Sequence, residues 1–432
     1  MATRSKNSIK EALNSCFSRK WIMKTAREVG WVKRQRKIDP VSFFWTLVLG
    51  FGTGVDRMIA DLRRAYELAT NTQLVPSGFY TRFTPSLVAF LKEAIRHASQ
   101  TLAEPVEKLK DVLKPFIDLV VIDSTVIRLH ELLEKYYKAC RTNHSKSALK
   151  LNMIISVFGI SPRTVRIASE RTWEGKLLRI GPWVKGRLIL FDMGYSDYNL
   201  FARITKNEGY FITRLKDNAN PKILFSHRAH KGRTVSIEAR KLKSVLARLK
   251  RKEIDVQIEV KTKKREYKGR RNSKITTFRL IGIRDDETGD YHLYITNVPP
   301  EYMNPVNIAK TYAARWEVEL IFKELKSFYR IDQLPSASKP VVESLIYTAI
   351  LTLVISRALL FELRRRKKLS AKEAPRRRWV AIFHSIARQI LMLLSHKGRC
   401  EKMWLSLLNY IYHELKDPNI SRVLKLDFEG LK

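Results

Sequence analysis

The apolar positions of this chain change period along its length. Over residues 1 to about 105 they recur at helical spacing. Ile9, Leu13 and Phe17 open the series, and the apolar blocks at 58–62 and 87–91 continue it, each followed by basic residues. Asp39-Pro40, after the cluster Lys33, Arg34, Arg36 and Lys37, has the chemistry of a helix start: an acceptor side chain, then the ring tolerated at the first helical position. Near Pro115 the pattern shifts to short β-branched runs. Residues 116–123, 149–157, 164–168, 187–192 and 210–215 are expected as strands, with a helix at 198–206. From about 217 to 290 the helical pattern weakens, and 256–260 and 276–283 are expected as strands around a charged, glycine-containing turn. Residues 291–298 return to a strand that stops at Pro299-Pro300. One long helix is expected from about 305 to 329, and helix again beyond Pro335. Strands separated by helices predict an α/β sheet. The expected organisation is a helical segment 1–105, an α/β core in two parts (106–216 and 291–360), a β-rich basic insertion at 217–290 between them, and a helical C-terminal region 361–432.

Charge adds a partner to this outline. The 432 residues include 82 Lys+Arg against 42 Asp+Glu, a formal net charge of +40, and fifteen of the basic residues fall within 240–274. With 45% hydrophobic residues the chain buries a sizeable core and is no disordered tail. So positive a surface binds polyanions by counterion release, and a nucleic acid backbone is expected ahead of a membrane surface. The apolar runs at 41–50 and 345–356 are shorter than the roughly 18–20 residues that span a bilayer and are expected as buried helices. Cys16, Cys140 and Cys400 are odd in number and far apart, which fits a reducing, cytosolic compartment and neither a disulfide framework nor a zinc site. No signal peptide is expected, since no apolar run follows the first charged residues. His227 and His230 read as solvated rather than as zinc ligands.

Candidate chemistry comes from three places. Asp123 and Asp192 each close an expected strand, at the rim where open α/β sheets place their sites. A single such aspartate is more often a turn former, but two on one sheet bring together oxygen ligands for divalent cations. The third place is the 311–326 helix. Advancing about 100° per residue from Tyr312 puts Arg315, Glu319 and Lys326 within an arc of roughly 60°. Glu317 and Glu324 point well away, so Glu319 alone among the helix's acids shares that face. An amphipathic helix with i,i+4 ion pairs on its solvated side would show the same stripe.

The spacing Tyr312-x2-Arg315-x3-Glu319-x6-Lys326 resembles the Y-R-E-K signature of insertion-sequence transposases of the insertion-sequence-four-like group, a branch of the DDE transposases. Asp123-Ser124-Thr125 resembles the family's first catalytic block, and Asp192-Met193-Gly194-Tyr195 its second, D-x-G-Y. Arg214-Leu215-Lys216 is similar to the basic close of the following strand, and Ile295-Thr296-Asn297 to the strand end before the third block. The resemblance covers roughly 75–360. It implies an RNase H-like core interrupted by a β-rich insertion, and a catalytic triad of Asp123, Asp192 and Glu319 that holds two Mg²⁺ (or Mn²⁺) ions. Tyr312, Arg315, Lys326, Arg214 and Lys216 are implied to hold DNA. The family's base-holding tryptophan is matched here by Tyr291. The implied partners are double-stranded DNA, as terminal inverted repeats and as target, and a second copy of the chain, in a bacterial or archaeal cytoplasm. End recognition is expected in residues 1–105.

The chemistry suits these residue types. Phosphodiester cleavage needs an activated water or hydroxyl and a stabilised leaving oxygen, and paired divalent ions on carboxylates supply both. An RNase H-like nuclease or resolvase without strand transfer, and a non-catalytic basic DNA-binding protein, are the competing readings. Strand joining separates the first of these from a transposase, and metal-dependent cutting excludes the second.

Overall fold

The computed structural model describes residues 8–34, 37–53, 58–101, 111–140, 145–157, 161–230, 233–234, 237, 240–263, 273–334, 336–396, 398, 400–416 and 418. The boundary expected near 105, Arg36 of the basic cluster and the charged turn between the two insertion strands lie outside them.

Among the described residues six helices lead the chain: α1 (Ser8–Cys16), α2 (Arg19–Glu28), α3 (Pro40–Gly52), α4 (Ile59–Thr70), α5 (Pro76–Tyr80) and α6 (Pro85–Thr101). Asp39 caps α3 as its sequence predicts, accepting from the Ser42 amide. The core begins with β1 (Asp118–Arg128), β2 (Ala148–Ser156) and β3 (Ser161–Ser169). It continues through α7 (Glu174–Leu177), β4 (Arg187–Phe191), α8 (Tyr198–Lys206) and β5 (Tyr210–Arg214). The next segment supplies β6 (Lys222–Ser226), the two-residue strands β7 (Ala229–His230) and β8 (Arg233–Thr234), α9 (Leu242–Leu246), β9 (Glu253–Lys263) and β10 (Ser273–Arg284). Then come β11 (Tyr291–Thr296), α10 (Pro305–Ala313), α11 (Trp316–Ser327), α12 (Lys339–Lys367), α13 (Arg376–Ser395) and α14 (Glu401–Leu415).

Among the described residues nine strands form one sheet in the order β3-β2-β1-β4-β5-β11-β10-β9-β6. Only β1, β4 and β5 run parallel to their neighbours in the centre; the flanks are antiparallel. The chain is therefore mixed α/β around a large central sheet. Within 217–290, the segment expected as a β-rich insertion, the described strands extend the same sheet: β10 pairs with β11, β9 with β10 and β6 with β9.

Alternation along the central strands gives the sheet two dry faces. Leu119, Val121, Leu188, Leu190 and Ile212 belong to one core; Val120, Ile122, Ile189, Phe191 and Phe211 belong to the other, with α8. The first face is covered by α6, α10 and α11, and its core runs on into α1–α5 and α12–α14 without a break. Helices α3 and α6 pack on α12, and α3 on α13. The Thr352 hydroxyl of α12 donates to the Val48 carbonyl of α3 at 2.8 Å. The N-terminal helices thus share one core with the C-terminal ones.

Two further expectations change. Helix α12 runs 29 residues, far beyond the apolar run at 345–356, and is long and apolar enough to cross a membrane. Since 89% of its apolar window is buried inside the protein, it is the central core helix. The single helix expected from 305 to 329 is two. Between α10 and α11 the Ala314, Arg315, Glu317 and Val318 amides bond to carbonyls three residues back, so the chain tightens through a 3₁₀-like turn.

Candidate active site

Strand β1 continues to Arg128, so Asp123 lies within a strand, not at its end. What ends there is the parallel pairing: Ile122 opposite Phe191 is the last β1–β4 partner. Asp123 and Asp192 follow side by side, one step past it. Each lies two residues beyond a side chain of the helix-covered face, Val121 and Leu190 respectively, so both project toward α11.

A cleft of about 430 Å³ opens at that point. Asp123, Ser124, Thr125 and Asp192 line it from the sheet, and Arg315, Glu319, Phe322, Lys323, Lys326 and Ser327 from the turn and α11. Of the three glutamates on α11, Glu319 alone reaches it. Glu317 pairs with Arg376 of α13 at 3.0 Å, and Glu324 is buried against Arg357 of α12 at 2.5 Å.

The cleft's charges are already organised. Arg315 Nη2 donates to Glu319 Oε1 at 2.7 Å, and its Nη1 stands 3.5 Å from Asp123 Oδ2. Burial pushes the Asp123 carboxyl up to about 6. The Ser124 amide and Arg315 oppose that rise, and the charges of Asp192 and Glu174 add to it. The Ser124 amide donates to Asp123 Oδ1 at 2.8 Å.

Other expected residues stand elsewhere. Tyr312, expected to hold DNA, is buried: its hydroxyl donates to the Phe191 carbonyl at 3.4 Å and its ring packs on Tyr294 at 5.3 Å. Burial first, with Asp192 and Tyr294, pushes this phenol up to about 12 against the opposing charges of Arg315 and Arg214. Arg214 sits one strand over, level with Asp192 by the β4–β5 register, and Lys216 is exposed; neither lines the cleft. Tyr291 also lies outside the lining. Its hydroxyl donates to the carbonyls of Arg251 and Leu249. His227 bonds Gln257 Oε1 at 3.1 Å rather than standing in solvent, and the His230 side chain is outside the described set.

Residues that sequence reasoning passed over complete the picture. Lys323, in the lining, also stands 4.9 Å over the ring of exposed Trp316. Its signal was the i+4 spacing from Glu319. Glu174 of α7 accepts from Ser124 Oγ at 2.5 Å, and no motif marked it.

A family model described as a transposase DDE domain matches residues 114–355, more than half the chain and all of the cleft residues. The chain belongs to this family. The transposase of insertion sequence element IS231F from Bacillus thuringiensis subsp. israelensis is 22% identical over 409 residues, 84% of this chain and 83% of that relative. The transposase of IS1151 from Clostridium perfringens is 22% identical over 384 residues, 82% and 80% of the two chains. A piggyBac transposase synaptic complex with hairpin DNA aligns over 96% of this chain and 87% of its own at 12% identity, with a TM-score of 0.45. The protein is accordingly a DDE transposase, a DNA-cleaving enzyme that depends on a divalent metal.

The donor set suits such a metal. Three carboxylates supply the hard oxygens that Mg²⁺ and Mn²⁺ prefer, and the Arg315 guanidinium already bridges two of them, so positive charge is at home there. The carboxylates line one cleft but are not drawn to chelating distance, as had been expected. Among the described residues no three His, Cys, Asp or Glu side chains form a metal-holding group, and Arg315 stands between Asp123 and Glu319.

Proposed function

We propose that Asp123, Asp192 and Glu319 are the catalytic triad of this transposase, on an RNase H-like core. In this reading they hold two Mg²⁺ (or Mn²⁺) ions, the protein acts as a homodimer in the cytoplasm, and it cuts the terminal inverted repeats of its element and joins them to target DNA. The observation that supports this most is the selection at the cleft. The β1–β4 register sets two aspartates side by side on one face, and one glutamate of three on α11 meets them. Bound there, the ions would activate the attacking oxygen and stabilise the leaving one.

The chain's own groups do the rest. Arg315 orients Glu319 and, with its planar fork, matches a phosphate once one enters. Lys323 and Lys326 on the rim neutralise backbone phosphates. Tyr312 acts from behind: its hydroxyl fastens the turn before α11 to the end of β4, holding Arg315 and Asp192 in one frame. Arg214 and Lys216 lie along the same edge as further phosphate contacts. Tyr291 is assigned to packing. End recognition stays with the basic N-terminal helices, but on the intact chain, because their apolar faces are shared with α12 and α13.

The test uses full-length protein and a labelled DNA carrying the element's end. Asp123→Ala, Asp192→Ala and Glu319→Ala should each bind the end and fail to cut it, while Glu317→Ala cuts. Joined donor–target product from the parent protein separates a transposase from a simple nuclease. Cutting by Glu319→Ala would remove the triad assignment.

A further inference from the structure

The two aspartate motifs carry, outside the triad, Ser124 after Asp123, and Gly194 and Tyr195 after Asp192. Around all three stands one carboxylate, that of Glu174 at the start of α7. Ser124 Oγ donates to Glu174 Oε1 at 2.5 Å, the length of a charge-assisted bond between hydroxyl and carboxylate. A Cβ on Gly194 would lie 3.0 Å from Glu174 Oε2, so a side chain there would press on that oxygen. Lys150 Nζ, fixed to the Thr172 carbonyl at 3.0 Å, stands 3.7 Å from Glu174 and balances its charge. Tyr195 is fully buried, and its hydroxyl accepts from Asn152 Nδ2 at 2.7 Å. The same amide is 3.4 Å from the Asp123 carbonyl.

Ser124 is therefore held at both ends. Its hydroxyl is anchored by Glu174, and its amide donates to Asp123 Oδ1 at 2.8 Å. Freeing the hydroxyl would loosen the amide that orients the aspartate. On the other side Glu174 lies against the turn that carries Asp192. We propose that Glu174 is a positioning residue that sets the spacing of Asp123 and Asp192 by holding the Ser124 hydroxyl on one side and packing against Gly194 on the other, and so tunes the site's affinity for its divalent ions. The proposal rests on the triad reading above. It also gives the serine of D-S-T and the glycine of D-x-G-Y one shared reason: the first is bonded by a fourth carboxylate and the second leaves it room.

Ligand-orienting partners of metal sites typically cost about 10–100-fold in metal affinity or activity when removed. The experiment compares full-length Glu174→Ala, Glu174→Gln, Ser124→Ala and the double Ser124→Ala/Glu174→Ala with the parent. Mn²⁺ binding to the protein–DNA complex is read by electron paramagnetic resonance, and cleavage is read against Mn²⁺ concentration. Glu174→Ala should raise the half-saturating Mn²⁺ about 10–100-fold in both readouts, with cleavage recovered at high metal and DNA affinity unchanged. Glu174→Gln, which keeps an acceptor oxygen of the same shape, should recover most of the affinity. Ser124→Ala should match Glu174→Ala, and the double variant should be no worse than either single one. Should Glu174→Ala fail to fold, Glu174→Gln and Ser124→Ala carry the same comparison.

Unchanged Mn²⁺ binding in both Glu174→Ala and Ser124→Ala would overturn the proposal. So would additive losses in the double variant, or a Glu174→Gln that binds no Mn²⁺ at any concentration, the behaviour of a direct ligand. Asp192→Asn serves as the control for the underlying assignment. If it cuts DNA, the triad reading fails whatever Glu174 does.

Discussion

Helix α11 meets solvent, cleft and core along its length, and it sends one glutamate to an arginine in each. Glu317 pairs with Arg376 at the surface, with side chains 41% and 35% exposed. Glu319 pairs with Arg315 in the cleft, at 29% and 17%. Glu324 pairs with Arg357 in the core, at 10% and 9%. The functional groups are the same in all three, so the difference lies in what surrounds them. The surface pair exchanges freely with water and holds little together. The core pair has no competitor and locks α11 to α12, because breaking it strands a charge away from solvent. The cleft pair lies between these limits. It is desolvated enough to be ordered and open on one side, so a cation or a phosphate arriving from solvent has access to either partner.

The largest expected effect is in the cleft. Glu319→Ala should lose cleavage to background, at least roughly a thousandfold if the site forfeits several kcal/mol of charge stabilisation. Its melting temperature should stay near the parent's, since the pair it breaks is partly solvated. A Glu319→Ala protein that unfolds would place this pair with the structural one and end the comparison.

In the core the order of effects reverses. Arg357 Nε and Nη1 have no partner among the described residues, which leaves Glu324 as its charge balance. Glu324→Ala should therefore cost about 3–5 kcal/mol in denaturant unfolding, and cleavage should fall only with the folded fraction. Replacing both members by apolar residues of similar volume should restore most of the stability. A double variant as unstable as the single one would show that the pair does more than cancel its own burial.

Asp123 gives a smaller effect of opposite sign. Its carboxyl is raised from the ordinary 3.8 to about 6 in the folded protein, chiefly by burial. The folded state then binds more protons than the unfolded one between these values. The stability this group contributes is complete below about 4, declines as pH rises toward 6, and is gone above it. A shift of about two units corresponds to at most about 3 kcal/mol. Asp123→Asn should accordingly be more stable than the parent at pH 7.5 in chelator, and the gap should close by pH 4. Thermal melts at the two pH values check this. A variant less stable than the parent at pH 7.5 would mean that the bond with Arg315 outweighs the burial of the charge.

Much of this was legible in the chain and some was not, for reasons that can be located. Helix α8 matches its expected span because its apolar period, its N-cap Asp197 and the strands on either side agree. Glu319 was separable from Glu317 and Glu324 because all three lie within α11, where the helical step holds. The same wheel extended back to Tyr312 crossed a 3₁₀-like turn that neither Gly nor Pro announces, and Tyr312 points into the sheet rather than along the stripe. Strand β1 looked shorter than it is because beyond Ile122 it loses β4 and keeps β2, and its positions become half-buried. That β9 and β10 widen the central sheet depends on which edge they find, and no local period encodes an edge. Glu174 is fifty residues from Ser124 in the chain, so only folding brings them together.

The smallest expected effect is the most exposed test of the whole reading. Glu317 sits two residues from Glu319, at the same end of the same helix, and it too holds an arginine. A triad chosen by proximity in sequence alone would not distinguish the two. The structure separates them by direction: Glu317 turns toward α13 and Glu319 toward Asp123 and Asp192. Surface pairs of this kind contribute about 0–1 kcal/mol, less in salt. Glu317→Ala should therefore unfold within about 1 kcal/mol of the parent, a gap that shrinks further at high salt, and cut DNA within about twofold of it. Arg376→Ala should match it in stability, because either substitution breaks the same contact. A Glu317→Ala protein that folds, binds the element's end and fails to cut would mean that α11 presents a different face during the reaction than in this structure. The assignment of Glu319, and with it the gradient from surface to core, would fall together.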